Sequence, residues 1–436
     1  MTDTTAWVSA ARVVRRLGFG ATGIEVDAAV ARGVHRWVAD VLAAPPAADP
    51  GAIATPAPRL DAIAAPGRAV SAAMRKQVNS ERADQQSELT AWWLRRMVSV
   101  HNPAPEKLTF VWHNHFATSA QKVRDASAML AQNEKLRSMG LGEFRPLAYA
   151  MLTDAAMLRW LDGAQNTKSA PNENLAREFM ELFALGHGNG YTETDVREGA
   201  RALTGWRTTT DGATALRTRA HDTGTKTVLG VTGDLDASSF CDAVLGHPAS
   251  SGYVATSMWR QLASDAPPPP DTLRRLTDAY GPRRDLRALV TAIVTDPAFT
   301  TSGTSIVMSP VEWMVGLARA LTPQVTPQQI TMMTSALRTL GQLPFFPPSV
   351  GGWPAGQAWL STAGAETRFG VATRFAAHAT PAVVIDAAPR DRIDALGHLL
   401  GVGRWSDRTA SVLRTAVGHP PALTAIGLNS PEYLTA

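Results

Sequence analysis

The residues best suited to chemistry in this sequence fall in three short segments, and each admits more than one reading. The first runs from Phe110 to Phe116 and places His113 and His115 two positions apart, with Asn114 between them. On a strand both imidazoles would share a face, as His-x-His metal sites require; on a helix they diverge by about 200°. Leu108, Val111, Trp112 and His115 recur at helical spacing, which puts His115 on a buried stripe and His113 nearer the opposite face. A satisfied core histidine is the plain alternative for His115. A His-Asn-His nuclease would need a ββα pattern, and the surrounding sequence has none.

The second segment, Pro171 to Gly186, reads as a helix with Asn172 as N-cap, Glu173 favouring the dipole and Gly186 as terminator. At about 100° per residue, Glu178 falls between Leu182 and Leu185, inside the apolar border, while Glu173 and Arg177 lie on the polar face. Asn174, Glu178 and Glu181 form one line of oxygen-bearing side chains. A carboxylate among leucines is costly unless an arginine pairs with it, a cation binds it, or its pKa rises and it serves as an acid or base. In the third segment, His221 and Asp222 precede Thr223-Gly224. They suit a metal or acid–base pair, or a turn in which the aspartate bonds its own backbone. A Pro/Gly/aromatic loop at 343–359, holding Trp353 and Trp359, is read as a lid, a contact surface or a rigid plug.

The elements that must position these groups are helical. Apolar residues recur at three-to-four spacing over 13–42 (interrupted near 18–23), 71–100, 126–139, 144–152, 172–185, 192–203, 271–294, 310–321 and 326–340. A further helix is expected after Asn102-Pro103-Ala104-Pro105, where an early proline loses no hydrogen bond. Pro45 to Pro66 reads as a surface loop. Strand candidates are confined to 207–233, enough for a small β-hairpin. The expected fold is mainly α, a large multi-helical body. Residues 1–265 would carry the His-Asn-His and Asn-Glu-Asn motifs, 266–271 would be a proline-rich linker, and 272–436 a helical C-terminal part packed on the first. Leu152-Thr153-Asp154, Val294-Thr295-Asp296 and Leu428-Asn429-Ser430 look alike and read as a shared helix-ending turn.

Composition narrows the function classes. The chain has 436 residues, 45% hydrophobic and 18% charged, with a net charge of +4. It holds no apolar run of about 18 residues, so no membrane span is expected, and it is too apolar to be largely disordered. Its 42 basic residues are scattered, which argues against nucleic acid as a partner. The single Cys241 excludes an internal disulfide framework and a thiolate metal cluster. Any metal site would use nitrogen and oxygen ligands, suiting a divalent ion such as zinc, manganese or iron. No secretory signal is read in Met1 to Phe19, so the expected location is cytoplasmic. The 12 tryptophans are many for this length, and Trp112, Trp206, Trp353 and Trp359 sit inside the polar motifs. They are expected to wall one central polar site.

Taken together, these segments resemble the bacterial family called domain of unknown function 1800. The resemblance is carried in order by Arg12 to Gly20, Trp112 to Phe116, Asn166 with Asn172 to Glu178, and Glu181 to Gly186. It continues through Tyr191, Ala202 to Trp206, His221-Asp222 with Lys226 and Gly230, Ser309 to Glu312, Gln342, Pro347-Pro348, Gly352 to Pro354 and Trp359. It spans essentially the whole chain. Many relatives look exported, often through twin-arginine signals, and are encoded near sulfatase-like proteins; this chain departs in showing no such signal.

Two functions follow as expectations. One is a metal-dependent hydrolase or oxidoreductase with His113, His115, Glu178, Glu181, His221 and Asp222 as ligands and Glu178 and His113 as catalytic groups. In it Trp112, Asn172, Asn174, Arg177, Trp206, Lys226 and Trp353 line the pocket or hold it in shape. The other is a non-catalytic binding or assembly protein acting with a sulfatase-like partner, in which the motif residues form a structural hydrogen-bond network.

Overall fold

The computed structural model describes residues 4–63, 71–209, 212–300, 305–322 and 324–435. Residues 64–66 of the expected surface loop, 210–211 of the strand region and residues 1–3 of the Met1–Phe19 stretch read for a secretory signal lie outside them. Among the described residues there are 25 α-helices and two antiparallel two-stranded sheets, so the fold is mainly α. Trp206–Thr208 pairs with Thr214–Leu216, and Lys226–Val228 pairs with Val231–Gly233. No helix among the described residues is long and apolar enough to cross a membrane.

Local chemistry sets the helix boundaries. Thr22 with Glu25, Thr192 with Asp195 and Ser309 with Glu312 close reciprocal capping boxes. Proline opens Pro270–Tyr280, Pro310–Leu321 and Pro327–Thr339 at the position where its missing N–H costs nothing. The stretch expected as one helical region over 271–294 is two helices, Pro270–Tyr280 and Leu286–Thr295. Gly281, at φ +60°, ends the first, and Asp285 caps the second by accepting from the Ala288 N–H at 2.9 Å. The recurring turn also has a physical basis. Asp154, Asp296 and Ser430 each follow a helix end and accept from a backbone N–H two or three residues on.

Two large hydrophobic cores share one helix. The first gathers Val13, Leu108, Trp112, Phe116, Phe144, Phe179, Trp259 and Ile293; the second gathers Phe19, Trp93, Phe110, Trp313, Phe345, Trp353 and Phe375. The first draws on helices from both sides of the proline run. The Ala104–His115 helix faces both cores, and all of its twelve residues except Asn114 are buried. Enclosure on nearly every side means that its polar side chains, Glu106, Lys107, His113 and His115 among them, must find partners inside the protein.

Candidate functional site

Charges on an enclosed helix need partners, and the Ala104–His115 helix finds them in three neighbouring helices, Ala72–Ser99, Ala126–Met139 and Pro310–Leu321. Glu106, 1% exposed, accepts from Arg96 Nε at 2.6 Å, from Arg137 Nε and Nη2 at 2.7 and 2.8 Å, and from Trp93 Nε1 at 2.9 Å. Burial alone would raise its pKa, but the two guanidiniums more than offset this and hold it below the usual carboxylate range. Lys107 is in contact with Glu312, whose other oxygen accepts from the Ser309 N–H at 2.8 Å and so caps the Pro310–Leu321 helix. Burial and the neighbouring Arg16 push the Lys107 ammonium down to about 7, while the Glu312 carboxylate against it works the other way. Arg16 is itself pushed down to about 9, first by burial and then by Arg15 and Arg12. Arg16 Nε and Nη2, and the Trp353 Nε1, are buried without a hydrogen-bond partner among the described residues.

The helix also settles the direction of the two histidines. His113 turns to the second core, where Trp93, Phe345 and Trp353 surround its ring and its Nε2 accepts from the Phe345 N–H at 3.2 Å. Burial pushes its pKa down to about 3. His115 turns to the first core. Its Nε2 lies 2.9 Å from the Phe183 carbonyl, which can only accept, so Nε2 carries the proton and Nδ1 accepts from the Ser257 hydroxyl at 3.1 Å. Burial pushes this histidine down to about 4 against the opposing pull of that carbonyl. Between them, Asn114 Oδ1 accepts from the Trp353 N–H at 2.8 Å. Gly352 has φ +82°, and a Cβ there would lie 2.4 Å from Asn114 Oδ1, so only glycine lets the loop reach the helix. The 343–359 loop is thus packed down onto the helix: Phe345, Trp353 and Trp359 are buried, and Trp353 stacks on Phe110 with ring centroids 5.6 Å apart.

The Asn172–Gly186 segment departs from an ideal helix. Asn174–Glu178 is α-helical, and Phe179–Ala184 widens into a π-turn in which the Leu185 N–H reaches Met180 O at 2.9 Å. Such an insertion shifts the face presented by every later residue. Glu178 is half-buried and has no hydrogen bond or ion pair among the described residues; burial and then the charge of Glu181 raise its pKa. Glu181 lies 3.7 Å from Arg177 and 3.4 Å from His187. Arg177 also bridges Glu173 at 3.0 Å and Glu193 at 2.7 Å. Asn172 Oδ1 accepts from the Asn174 N–H at 3.1 Å, acting as a cap just ahead of the helix, and Asn174 is exposed.

The remaining candidates lie elsewhere. His221 Nδ1 donates to the Thr204 carbonyl at 2.9 Å. Asp222 takes Arg201 Nε at 2.7 Å and the Gly224 N–H at 2.8 Å, a turn in which the aspartate bonds its own backbone. Lys226 is buried and pairs with Asp234 at 2.8 Å. Trp112 donates to Gly140 O at 2.8 Å within the first core, Trp353 belongs to the second, and Trp206 is a half-buried strand residue. The tryptophans are divided between two cores instead of gathering at one centre. Among the described residues no three His, Cys, Asp or Glu side chains come together as a metal-ligand set. Cys241 is buried, and its thiol is pushed up to about 12.

Sequence reasoning missed Glu106, Lys107 and Glu312 as a buried ionic frame. The available signal was a carboxylate and an ammonium side by side at the start of a helix whose middle, Leu108 and Phe110 to Trp112, is apolar. It also missed Ser257, which lines a cleft of about 630 Å³ with Tyr253, Arg260, Asp265 and Gly356. The Ser257–His115 pair resembles a nucleophile and base. However, a carbonyl stands where an orienting carboxylate would stabilise an imidazolium, and a pKa near 4 makes His115 a weak proton acceptor at neutral pH.

Fold and contacts define a class: a large helical protein in which Glu106, Lys107, His113, Asn114 and His115 of one enclosed helix bond to the loop and helices around it. Within that class the chain belongs to the family described as "Protein of unknown function (DUF1800)", whose model matches residues 12–435. No curated protein and no solved structure matches the chain.

Proposed function

We propose that the chain is a non-catalytic binding or assembly protein and that its polar motifs are a structural frame. One observation carries this reading: Glu106, Lys107, His113, Asn114 and His115, all on one enclosed helix, each bond through at least one polar atom to a partner in another element. Groups committed in this way are poorly placed to turn toward a substrate. The family resemblance makes a sulfatase-like protein the first partner to try in co-purification.

The Lys107–Glu312 pair offers the sharpest test of the frame. Removing one member of a buried pair leaves an uncompensated charge and costs about 3–5 kcal/mol, whereas removing both costs less than the sum. Lys107→Met and Glu312→Gln are therefore expected to lower the unfolding free energy strongly, and the double variant to recover part of the loss. Singles that leave stability unchanged in chemical denaturation would overturn the reading.

Glu178 favours a second reading, a metal-dependent hydrolase or oxidoreductase. It is a half-buried carboxylate with a raised pKa, next to Glu181 and at the start of a π-turn, and the frame does not use it.

A further inference from the structure

Where the Thr4–Arg16 helix meets the last part of the C-terminal body lies a groove of about 990 Å³. Two indoles flank it, and both are held in place. Trp7 Nε1 donates to Asp27 Oδ1 at 2.8 Å, and the other oxygen of Asp27 lies 2.8 Å from His398 Nε2. Trp405 Nε1 donates to Ile393 O at 3.2 Å. The backbone is glycine where it touches each ring: a Cβ on Gly403 would lie 3.3 Å from Trp7, and one on Gly397 would lie 3.1 Å from Trp405 Nε1. Ile393, Val402, Ala410 and Val417 complete an apolar lining.

The rim is cationic. Arg390, whose Nε lies 3.5 Å from Asp391, Arg404 and Arg414 border the groove, and Asp394 on the same rim has no hydrogen bond or ion pair among the described residues. Arg404 and Arg414 are exposed and have no hydrogen bond or ion pair among the described residues. Fixed aromatic faces, an apolar lining and free guanidiniums at the mouth are the features of a small-molecule site for a ligand with an apolar ring and one anionic group. A neutral aromatic would leave the arginines unused, and a simple inorganic anion would leave the indoles unused.

We infer that this groove binds a small amphipathic anion, an aromatic or aliphatic carboxylate, sulfonate or phosphate. The inference deepens the binding reading by naming a ligand class, and it stands on its own geometry, because no residue of the frame lines the groove. A suitable probe is 1-anilinonaphthalene-8-sulfonate, compared with N-phenyl-1-naphthylamine, which has the same rings without the sulfonate. Both would be titrated into the full chain by calorimetry.

The sulfonate is expected to bind at one site and more tightly than the neutral amine. The double variant Arg404→Glu/Arg414→Glu should weaken the sulfonate by roughly tenfold or more while leaving the amine nearly unchanged. Ala410→Trp, which fills the groove from a half-buried position, should block both. Melting temperatures matching the parent protein would show that the variants fold. Failure of the sulfonate to bind, or equal binding by the parent and the double variant, would overturn the site. Neither outcome touches the frame, which the Lys107–Glu312 cycle tests separately.

Discussion

His115 shows how one side chain can look catalytic in a sequence and be structural in the fold. Both its nitrogens are engaged, one by Ser257 and the other by the Phe183 carbonyl, and the ring is held neutral. This has a consequence in acid. With folded pKa values of about 4 for His115 and about 3 for His113, the unfolded chain takes up protons below pH 6.5 that the folded chain refuses. Stability contributed by the neutral rings is therefore full above pH 6.5 and falls as pH drops toward 4, at about 1.4 kcal/mol per pH unit for each histidine. Denaturation across that range should show a shallower decline in His115→Gln than in the parent. Glu178 has the opposite sign. Its folded pKa is raised, so its charge opposes folding increasingly as pH rises past the ordinary glutamate value. Glu178→Gln is expected to keep or raise the melting temperature at pH 7.5, and a clear fall would favour the metal-enzyme reading. The residue types were legible because burial of polar groups follows from helical periodicity. Their partners were not: His113 meets Phe345, more than 200 positions away, and no local pattern encodes that contact.

Among the elements, helices with strong periodicity and caps were readable nearly to their ends, as Ala126–Met139 and Phe144–Leu152 show. The π-turn at Phe179–Ala184 was not, because a wheel drawn at a constant 100° per residue has no place for an inserted position. The partner of the 343–359 loop was equally hidden. Its glycines, prolines and aromatics indicate a rigid loop, but a lid, a contact surface and a packed plug share that composition, and only the contact of Asn114 Oδ1 with the distant Trp353 N–H distinguishes them. Gly352 is the hinge of that contact. Gly352→Ala adds a Cβ at positive φ and drives it into Asn114. It should destabilise by about 1–3 kcal/mol, measured as a lowered midpoint in chemical denaturation with an unchanged slope. An alanine there that costs nothing would mean that the loop is not held as described.

At the scale of the whole molecule, the enclosed Ala104–His115 helix contributes to both large cores, and its ion pairs and hydrogen bonds reach elements of each. A helical body was legible from composition and period; the division into two cores was not, since it depends on contacts between distant segments. If the motifs hold this architecture without an ion, thermal unfolding is the same with and without metal. Protein purified without chelator would be melted as prepared, after exhaustive EDTA treatment, and after addition of zinc, manganese or ferrous iron. One melting temperature throughout is expected. A temperature that falls on EDTA treatment and returns with one of these ions would contradict it and establish the motifs as a metal centre.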